Sequence, residues 1–392
     1  MTSNTDIVRR SLAAVWHPCT QMKHHEQFPL VPIARGEGAW LIDFEGKRYL
    51  DAVSSWWVNL FGHANPRITA ALKDQLDHLE HAMLAGFTHE PVIELSERLG
   101  KLTGLGHAFY GSDGASATEI ALKMSFHFWR NAGRTSKKKF VSLEGSYHGE
   151  TLGALAVMDV AIFRDAYGPL LNNNLRVAFP HDVNAGIVAL EKMLAEHHGE
   201  IAALIVEPLV QGAAGMRIYD PAYLRQARAL CTRFEVHLIA DEIMTGFGRT
   251  GTMFACEQAG IKPDFMCLSK GITGGYLPLS CVLTTDGIYD AFYHDDVTRG
   301  FLHSHSYTGS ALACRAALAT LDIFDSDDII ANNRIKAAKF TTLAQPLAQH
   351  PRVGNFRHLG MIWAFEVDNA HPQFAREFFS RALSREIGRA HV

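Results

Sequence analysis

The sequence predicts an α/β protein with a mostly parallel central sheet and helices on both faces. Helical and strand-like segments alternate along most of its 392 residues, which is how α/β architectures are built. Several strand-like segments are continuous apolar runs, as in EIAALIVEPLVQG and VHLIADEI. Such runs belong to strands covered on both faces, as in parallel sheets. A composition of 47% hydrophobic and 20% charged residues is that of an ordinary globular chain with material for a large core.

The elements follow in order. AWLIDFEGKRYLD (39–51) alternates apolar and polar residues around Glu45-Gly46 and predicts a hairpin. GASATEIALKMSFHFWR places apolar residues at helical spacing after a glycine entry, predicting a helix over 116–130. KKFVSLEGSYHG predicts a strand and a turn. EIAALIVEPLVQG (200–212), VHLIADEI and DFMCLSKG (264–271) predict three buried strands. Beyond about residue 320 the texture changes to helices and short loops, with a strand pair in VGNFRHLGMIWAFEVD and a helix in PQFAREFFSRALSREI. The predicted domains are 1–60, part of a smaller domain; 61–325, the large domain; and 326–392, the remainder of the smaller one. The closing EIGRAHV resembles a translated sequencing adapter, so a truncated C-terminal domain is expected.

Charge and cysteine content narrow the function. A net charge of −4 offers no basic field for nucleic acid. The N-terminal segment lacks an apolar core of signal-peptide length, and no window approaches a membrane span. Cys19, Cys231, Cys256, Cys267, Cys281 and Cys314 are scattered without a CxxC pair, as in reduced cytoplasmic proteins. His24-His25, His197-His198 and the HSH at 303–305 lack helical i, i+4 spacing with a nearby acid, and no metal site is expected.

Two short patterns compete for the chemistry. Gly246-Phe-Gly248-Arg-Thr-Gly251 is a literal G-x-G-x-x-G, the spacing of a dinucleotide-binding turn. That turn needs its first glycine at the strand end, so that the pyrophosphate meets the next helix. Here Asp241-Glu-Ile-Met-Thr intervenes, with two carboxylates where phosphates would sit. No acid follows a second strand at the usual distance of about 20 residues. A NAD-dependent oxidoreductase is therefore the remote alternative.

The other pattern is Asp241 with Lys270, 29 residues apart, each closing an apolar run. Taken singly, each reads as a charged residue at a solvated strand end. On adjacent strands they would share one edge of the sheet, where ligands bind in open α/β folds. A lysine in an enclosed apolar site has a lowered pKa and can attack a carbonyl. A buried carboxylate needs a cation, for which a protonated ring nitrogen serves. Pyridoxal 5'-phosphate (PLP) asks for this pairing. Its phosphate needs N–H groups at a helix start, and Asp113, Gly114 and Ala115 precede the 116–130 helix. Its ring needs an aromatic face, and Tyr147 in GSYHGE follows a strand.

These features sit within a wider likeness. WHPCTQM, DAVSSWWVNLFGHANP, AGFTHEP, GSYHGETLGALAV, IVEPLVQGAAGMR, IADEIMTGFGRTGTMFACE, CLSKGITGGYLPLS and HSHSYTG run from about Val15 to about Val367. In them the chain resembles the class III (ω-amino acid type) aminotransferases. The resemblance implies the PLP-dependent transferase fold type I, with a smaller α+β domain formed by the N- and C-terminal segments. It implies that Lys270 attaches the cofactor and shuttles a proton, that Asp241 holds the ring nitrogen's proton, and that Tyr147 stacks on the ring. Asp113, Gly114 and Ala115 would bind the phosphate, joined by His305 and Ser306 from the second subunit of a homodimer with shared active sites. Trp56 and Ser304 would line the keto-acid site, with Cys19 and Arg249 near the substrate. Ser-Ser-Trp-Trp and HSHSYTG narrow the implied reaction to one of biotin synthesis. There 8-amino-7-oxononanoate becomes 7,8-diaminononanoate, with S-adenosylmethionine as amino donor (lysine in some relatives). An enzyme acting on ornithine or a γ-amino acid is the alternative; it would share Asp241 and Lys270 but not usually Ser-Ser-Trp-Trp.

The chain departs from the family pattern in places. The phosphate turn is usually Ser-Gly-Ser or Asn-Gly-Ser; here it is Asp113-Gly114-Ala115. A carboxylate beside a phosphate is unfavourable, so Asp113 is expected either to point away or to weaken cofactor binding. Cys19 stands where some members have tyrosine, and Gly309-Ser-Ala replaces Gly-Asn-Pro. The arginine that clamps the substrate carboxylate falls, by the resemblance, beyond the last residue, and weak keto-acid binding is the expected result.

Overall fold

A computed structural model of the chain describes residues 3–28 and 30–388. Of the adapter-like end EIGRAHV, Arg389 to Val392 lie outside the described residues. Two compact units form. One comprises the described residues up to Ala70 together with those from Asn369 onward; the other is Ala71–Asp368. Among the described residues, no helix is long and apolar enough to cross a membrane.

The smaller unit carries strands β1 (Ile33–Glu37), β2 (Trp40–Asp43) and β3 (Arg48–Leu50), antiparallel in that order. The β2–β3 hairpin is the one predicted around Glu45-Gly46. Gly46 has φ +88, a conformation open to glycine at little cost. Asp43 closes the turn by accepting the N–H groups of Glu45 at 3.0 Å and Lys47 at 2.9 Å. The predicted C-terminal helix spans Phe374–Ser384, and the chain after it returns to β3, where Leu50 N–H donates to the Glu386 carbonyl at 2.7 Å.

The segment Ser54–Trp57 was not foreseen in its geometry. Ser54, Ser55, Trp56 and Trp57 have φ of +51, +48, +67 and +68. Ser55 and Trp56 have the ψ of a left-handed helix, +54 and +42. This conformation presses Cβ against the following carbonyl and costs roughly 1–2 kcal/mol per residue.

The larger unit holds β4 (His107–Gly111), β5 (Lys139–Leu143), β6 (Leu175–Val177), β7 (Ile201–Val206), the short pair β8 (Val210–Gln211) and β9 (Arg217–Ile218), β10 (His237–Asp241), β11 (Phe265–Leu268), β12 (Ser280–Thr284) and the hairpin β13 (Val353–Leu359) with β14 (Ile362–Val367). Its central sheet has the order β4-β12-β11-β10-β7-β5-β6. Only β12 runs against the rest. Every residue of β7, β10, β11 and β12 is buried; the apolar runs predicted this for β7, β10 and β11, while β12 was not foreseen. The helix Gly114–Asn131 packs Ala117, Ile120, Ala121 and Met124 against Ile205, Ile239, Phe265 and Val282 of the sheet.

The unit borders, 70/71 and 368/369, differ from the predicted 60/61 and 325/326. Residues 326–368 join the larger unit through hydrogen bonds to its loops. Arg334 Nε donates to the Gly251 carbonyl at 3.1 Å, Arg357 Nε to Met216 at 2.9 Å, and Met361 N–H to Arg249 at 2.8 Å. These are contacts between distant parts of the chain, which local texture does not encode.

Candidate active site

The topology brings the predicted residues to one edge. Strands β4, β5, β7, β10 and β11 run the same way, so their C-terminal ends share one rim, where ligands bind in open α/β sheets. After β4 comes Ser112–Ala115, after β5 Tyr147-His148, and after β7 Glu207. Asp241 ends β10, and Lys270 follows β11. Adjacent β10 and β11 place Asp241 opposite Cys267, three residues short of the lysine.

Asp241 is 4% exposed. Its Oδ2 accepts a hydrogen bond from His148 Nδ1 at 2.7 Å, and its Oδ1 accepts the Ile243 N–H at 3.1 Å. An ionised carboxylate only accepts, so His148 carries its proton on Nδ1. Thr118 Oγ1 donates to the His148 carbonyl at 2.8 Å, tying this histidine to the long helix. His148 Nε2 is buried and makes no hydrogen bond among the described residues. Sequence reasoning singled out Tyr147 and passed over His148 beside it. The signal available was a histidine following a strand-end turn, with nothing to say that Asp241 would be its partner.

Lys270 adopts φ +46, a left-handed conformation for a residue with a side chain. Such strain persists where the surroundings enforce it, commonly at functional sites. Burial lowers its pKa; the charges of Asp241 and Glu207 act in the opposite direction, and Arg249 adds to the lowering. The net effect is an amine more readily neutral than an exposed lysine. Burial likewise pushes Arg249 down to about 10.

Glu207 was also missed. Its Oε1 accepts the Tyr147 N–H and its Oε2 the Gly212 N–H, both at 2.9 Å. Burial pushes its carboxyl up to about 7, with Asp241 adding to the rise and His148 opposing it. A folded value above the ordinary 4.5 means that the ionised form is the less stable one. Stability from this group is complete below pH 4.5 and is lost as the pH climbs to about 7, a change of about 3 kcal/mol. In the cofactor-free enzyme, the unfolding midpoint of Glu207→Gln should therefore gain on the parent between about pH 5 and about pH 7.5. Parallel pH profiles for the two proteins would contradict this.

Tyr147 is half-buried. Its hydroxyl donates to Glu150 Oε1 at 2.9 Å, and its ring meets Phe163 edge-on at 5.8 Å.

At the helix start, Asp113 occupies the N-cap position. Its Oδ1 accepts the Ser116 N–H and its Oδ2 the Ser116 hydroxyl, both at 2.9 Å. Of the two expectations for Asp113, the structure shows the side chain engaged with its own helix. The first intrahelical bond is Ala117 N–H to the Asp113 carbonyl, which leaves the N–H groups of Gly114 and Ala115 without an acceptor in the helix. Gly114 lies against Ile243, where an added Cβ would stand 3.0 Å from Cγ2. His305 Nδ1 accepts the Tyr307 N–H at 3.2 Å, so Nε2 carries the proton and points it at Ser112 Oγ, 3.4 Å away. Within a single chain, His305 thus meets the phosphate turn through Ser112. Ser304 and Ser306 are exposed; the Ser306 carbonyl accepts His81 Nε2–H at 2.6 Å. Cys19 and Trp56 belong to the smaller unit.

The glycines of GFGRTG form turns rather than a nucleotide cradle. Phe247, Gly248 and Gly251 have φ of +58, +84 and +102. The next helix, Cys256–Ala259, has four residues, too short to serve as a pyrophosphate-binding N-terminus of the dinucleotide type.

Comparison with known proteins places the chain among named relatives. The profile of the family Aminotransferase class-III matches residues 20–387. Adenosylmethionine-8-amino-7-oxononanoate aminotransferase of Helicobacter pylori is 51% identical over 377 residues, 94% of this chain and 86% of that one. The crystal structure of the enzyme of the same name from Methanocaldococcus jannaschii superposes with a TM-score of 0.95 at 36% identity, covering 98% of this chain and 91% of that one. An amine transaminase from an uncultivated Pseudomonas species, in its PLP-bound form, superposes with a TM-score of 0.86 at 33% identity, covering 91% and 85%.

Proposed function

This chain belongs to the class-III aminotransferases, and on that premise we propose that it is the PLP-dependent enzyme that aminates 8-amino-7-oxononanoate to 7,8-diaminononanoate in biotin synthesis. The amino donor in this reading is S-adenosylmethionine. The observation that carries it is the pair Asp241 and Lys270 at the ends of adjacent parallel strands, in a chain 51% identical to a relative named for this reaction. Ser54–Trp57 and HSHSYTG favour this substrate over ornithine or a γ-amino acid.

The residues present fit PLP. The buried Asp241 carboxylate can accept a ring N–H, the N–H groups of Gly114 and Ala115 are available to a phosphate, and Lys270 offers an amine eased towards neutrality. When bound, PLP supplies an aldehyde that accepts the amino group and a protonated ring that draws electrons from the substrate carbon. Asp241 keeps the proton on the ring nitrogen, and His148 fixes the orientation of that carboxylate. Lys270 Nζ takes a proton from the donor's Cα and returns one to the acceptor carbon, the general acid–base role of a tuned amine. Tyr147 presents its ring, held in place by Glu207 and Glu150. The start of the Gly114–Asn131 helix binds phosphate through N–H groups and its dipole. Ser304 and Arg249 shape the acceptor pocket, and the family resemblance assigns Trp56 and Cys19 to the acceptor substrate.

The same reading makes the enzyme a cytoplasmic homodimer with shared active sites, in which Ser306 serves the phosphate turn of the second subunit, while His305 sits beside the turn of its own chain through Ser112. Leu302 and Tyr307, 76% and 66% exposed, flank these residues and support an interface there, since large exposed apolar side chains at one place mark association surfaces. The test is a donor screen with purified holoenzyme and 8-amino-7-oxononanoate, following 7,8-diaminononanoate. Product with S-adenosylmethionine is expected. No product with any amine, alongside turnover of ornithine or a γ-amino acid, would transfer the enzyme to the alternative class.

A further inference from the structure

Four consecutive residues with side chains, Ser54 to Trp57, are held at positive φ. Each pays the steric cost of Cβ against its following carbonyl, where glycine would relieve it. Such a run persists only when its surroundings over-determine it, and the enforced geometry then commonly serves the site.

The enforcing group is Asp51. Its side chain is 6% exposed. Oδ1 accepts the Ser55 N–H at 2.9 Å, and Oδ2 accepts both the Ser55 hydroxyl at 2.7 Å and His63 Nε2 at 2.9 Å. The network has one consistent proton arrangement. Asn59 Oδ1 accepts the Gly62 N–H at 2.8 Å, which fixes the amide so that Asn59 Nδ2 donates to His63 Nδ1 at 3.2 Å. An imidazole nitrogen that accepts is unprotonated, so the proton of His63 lies on Nε2, directed at Asp51. His63 is anchored in turn to the β1–β2 connection. Its N–H donates to the Gly38 carbonyl at 2.7 Å, and its carbonyl accepts the Gly38 N–H at 3.1 Å. Gly62, at φ +86, packs so closely that an added Cβ would stand 2.9 Å from Gly38 Cα. The chain from Gly38 through His63 and Asp51 to Ser55 is unbroken, and it ends one residue from Trp56, a residue 39% exposed.

We propose that Asp51 and His63 are positioning residues that hold Ser54–Trp57 in a left-handed turn and thereby set Trp56 for the acceptor substrate. The inference rests on the reading of Trp56 as part of the acceptor pocket. A tryptophan fixed in advance spends no rotamer freedom when substrate arrives, which strengthens binding without new contacts.

A double-mutant cycle on the holoenzyme tests it, because coupling between two residues appears as non-additivity. Asp51→Asn should raise KM for 8-amino-7-oxononanoate about tenfold, about 1.4 kcal/mol, with the visible absorbance of bound cofactor retained. In a Trp56→Ala background the same substitution should change KM less than about twofold. Equal effects in both backgrounds, or no effect in either, overturn the proposal. Ser55→Ala, which deletes one hydroxyl bond and keeps the carboxylate, covers the case in which Asp51→Asn fails to fold; it should show the same dependence on Trp56, and its absence counts equally against the idea. Near-ultraviolet circular dichroism reads the turn without substrate. The tryptophan band should weaken in both variants, and an unchanged band overturns the clasp. A parent enzyme that makes no 7,8-diaminononanoate sinks the substrate reading instead, while the dichroism result still decides the clasp.

Discussion

Lys270→Ala is expected to lower amino transfer by roughly four orders of magnitude. Lys270 has two tasks that no neighbour duplicates in this reading, holding the cofactor's aldehyde carbon and moving a proton at the substrate's Cα. Alanine performs neither. The loss should be chemical and not structural. Alanine at φ +46 is strained as lysine is, so the backbone gains and loses little. Deleting the amine removes both the desolvation cost of its charged form and the attraction of Asp241 and Glu207 that opposes that cost, and the two changes offset each other. The unfolding midpoint should therefore stay near that of the parent. Borohydride reduction followed by dialysis provides the check. The parent should keep its cofactor absorbance and the variant should lose it. Absorbance retained by Lys270→Ala would place the attachment on another residue.

Asp241→Asn should lower the rate of the donor half-reaction by roughly 10²–10³-fold, the scale for removing one preorganised electrostatic partner of developing charge. Asparagine keeps the shape, its one acceptor oxygen can serve the Ile243 N–H, and its N–H₂ can donate to His148 Nδ1 once that ring carries its proton on Nε2, so the fold should survive. What it lacks is the negative charge that holds a proton on the ring nitrogen. Rapid-mixing absorbance with S-adenosylmethionine measures the step directly. A rate within tenfold of the parent would mean that another group holds the proton.

Much of the scaffold was legible because its signals are local. Residues 201–206, 237–241 and 265–268 announce buried strands by unbroken apolar composition, and Gly46 announces its hairpin. Asp241 and Lys270 were legible as a pair because two runs of that kind each ended in a charged residue. Their partners were not. His148 reaches Asp241 across 93 residues and Glu207 reaches Tyr147 across 60. Asp113 illustrates the limit from the other side. As a family departure it implied either an outward carboxylate or weakened cofactor binding, and the helix it begins claimed its oxygens through Ser116.

By itself, the sequence determined the class of this protein. Its apolar runs dictate a mostly parallel sheet, and its motifs select a lysine, an acid and a helix start suited to one cofactor. These follow from hydrophobic periodicity and residue chemistry, which neighbours along the chain express without help. Tertiary structure alone decided the proton on His148, the raised carboxyl of Glu207, the affiliation of residues 326–368 and the left-handed turn at Ser54–Trp57. Each depends on burial or on a hydrogen bond between residues far apart in sequence, and its energy exists only once the chain has closed around it.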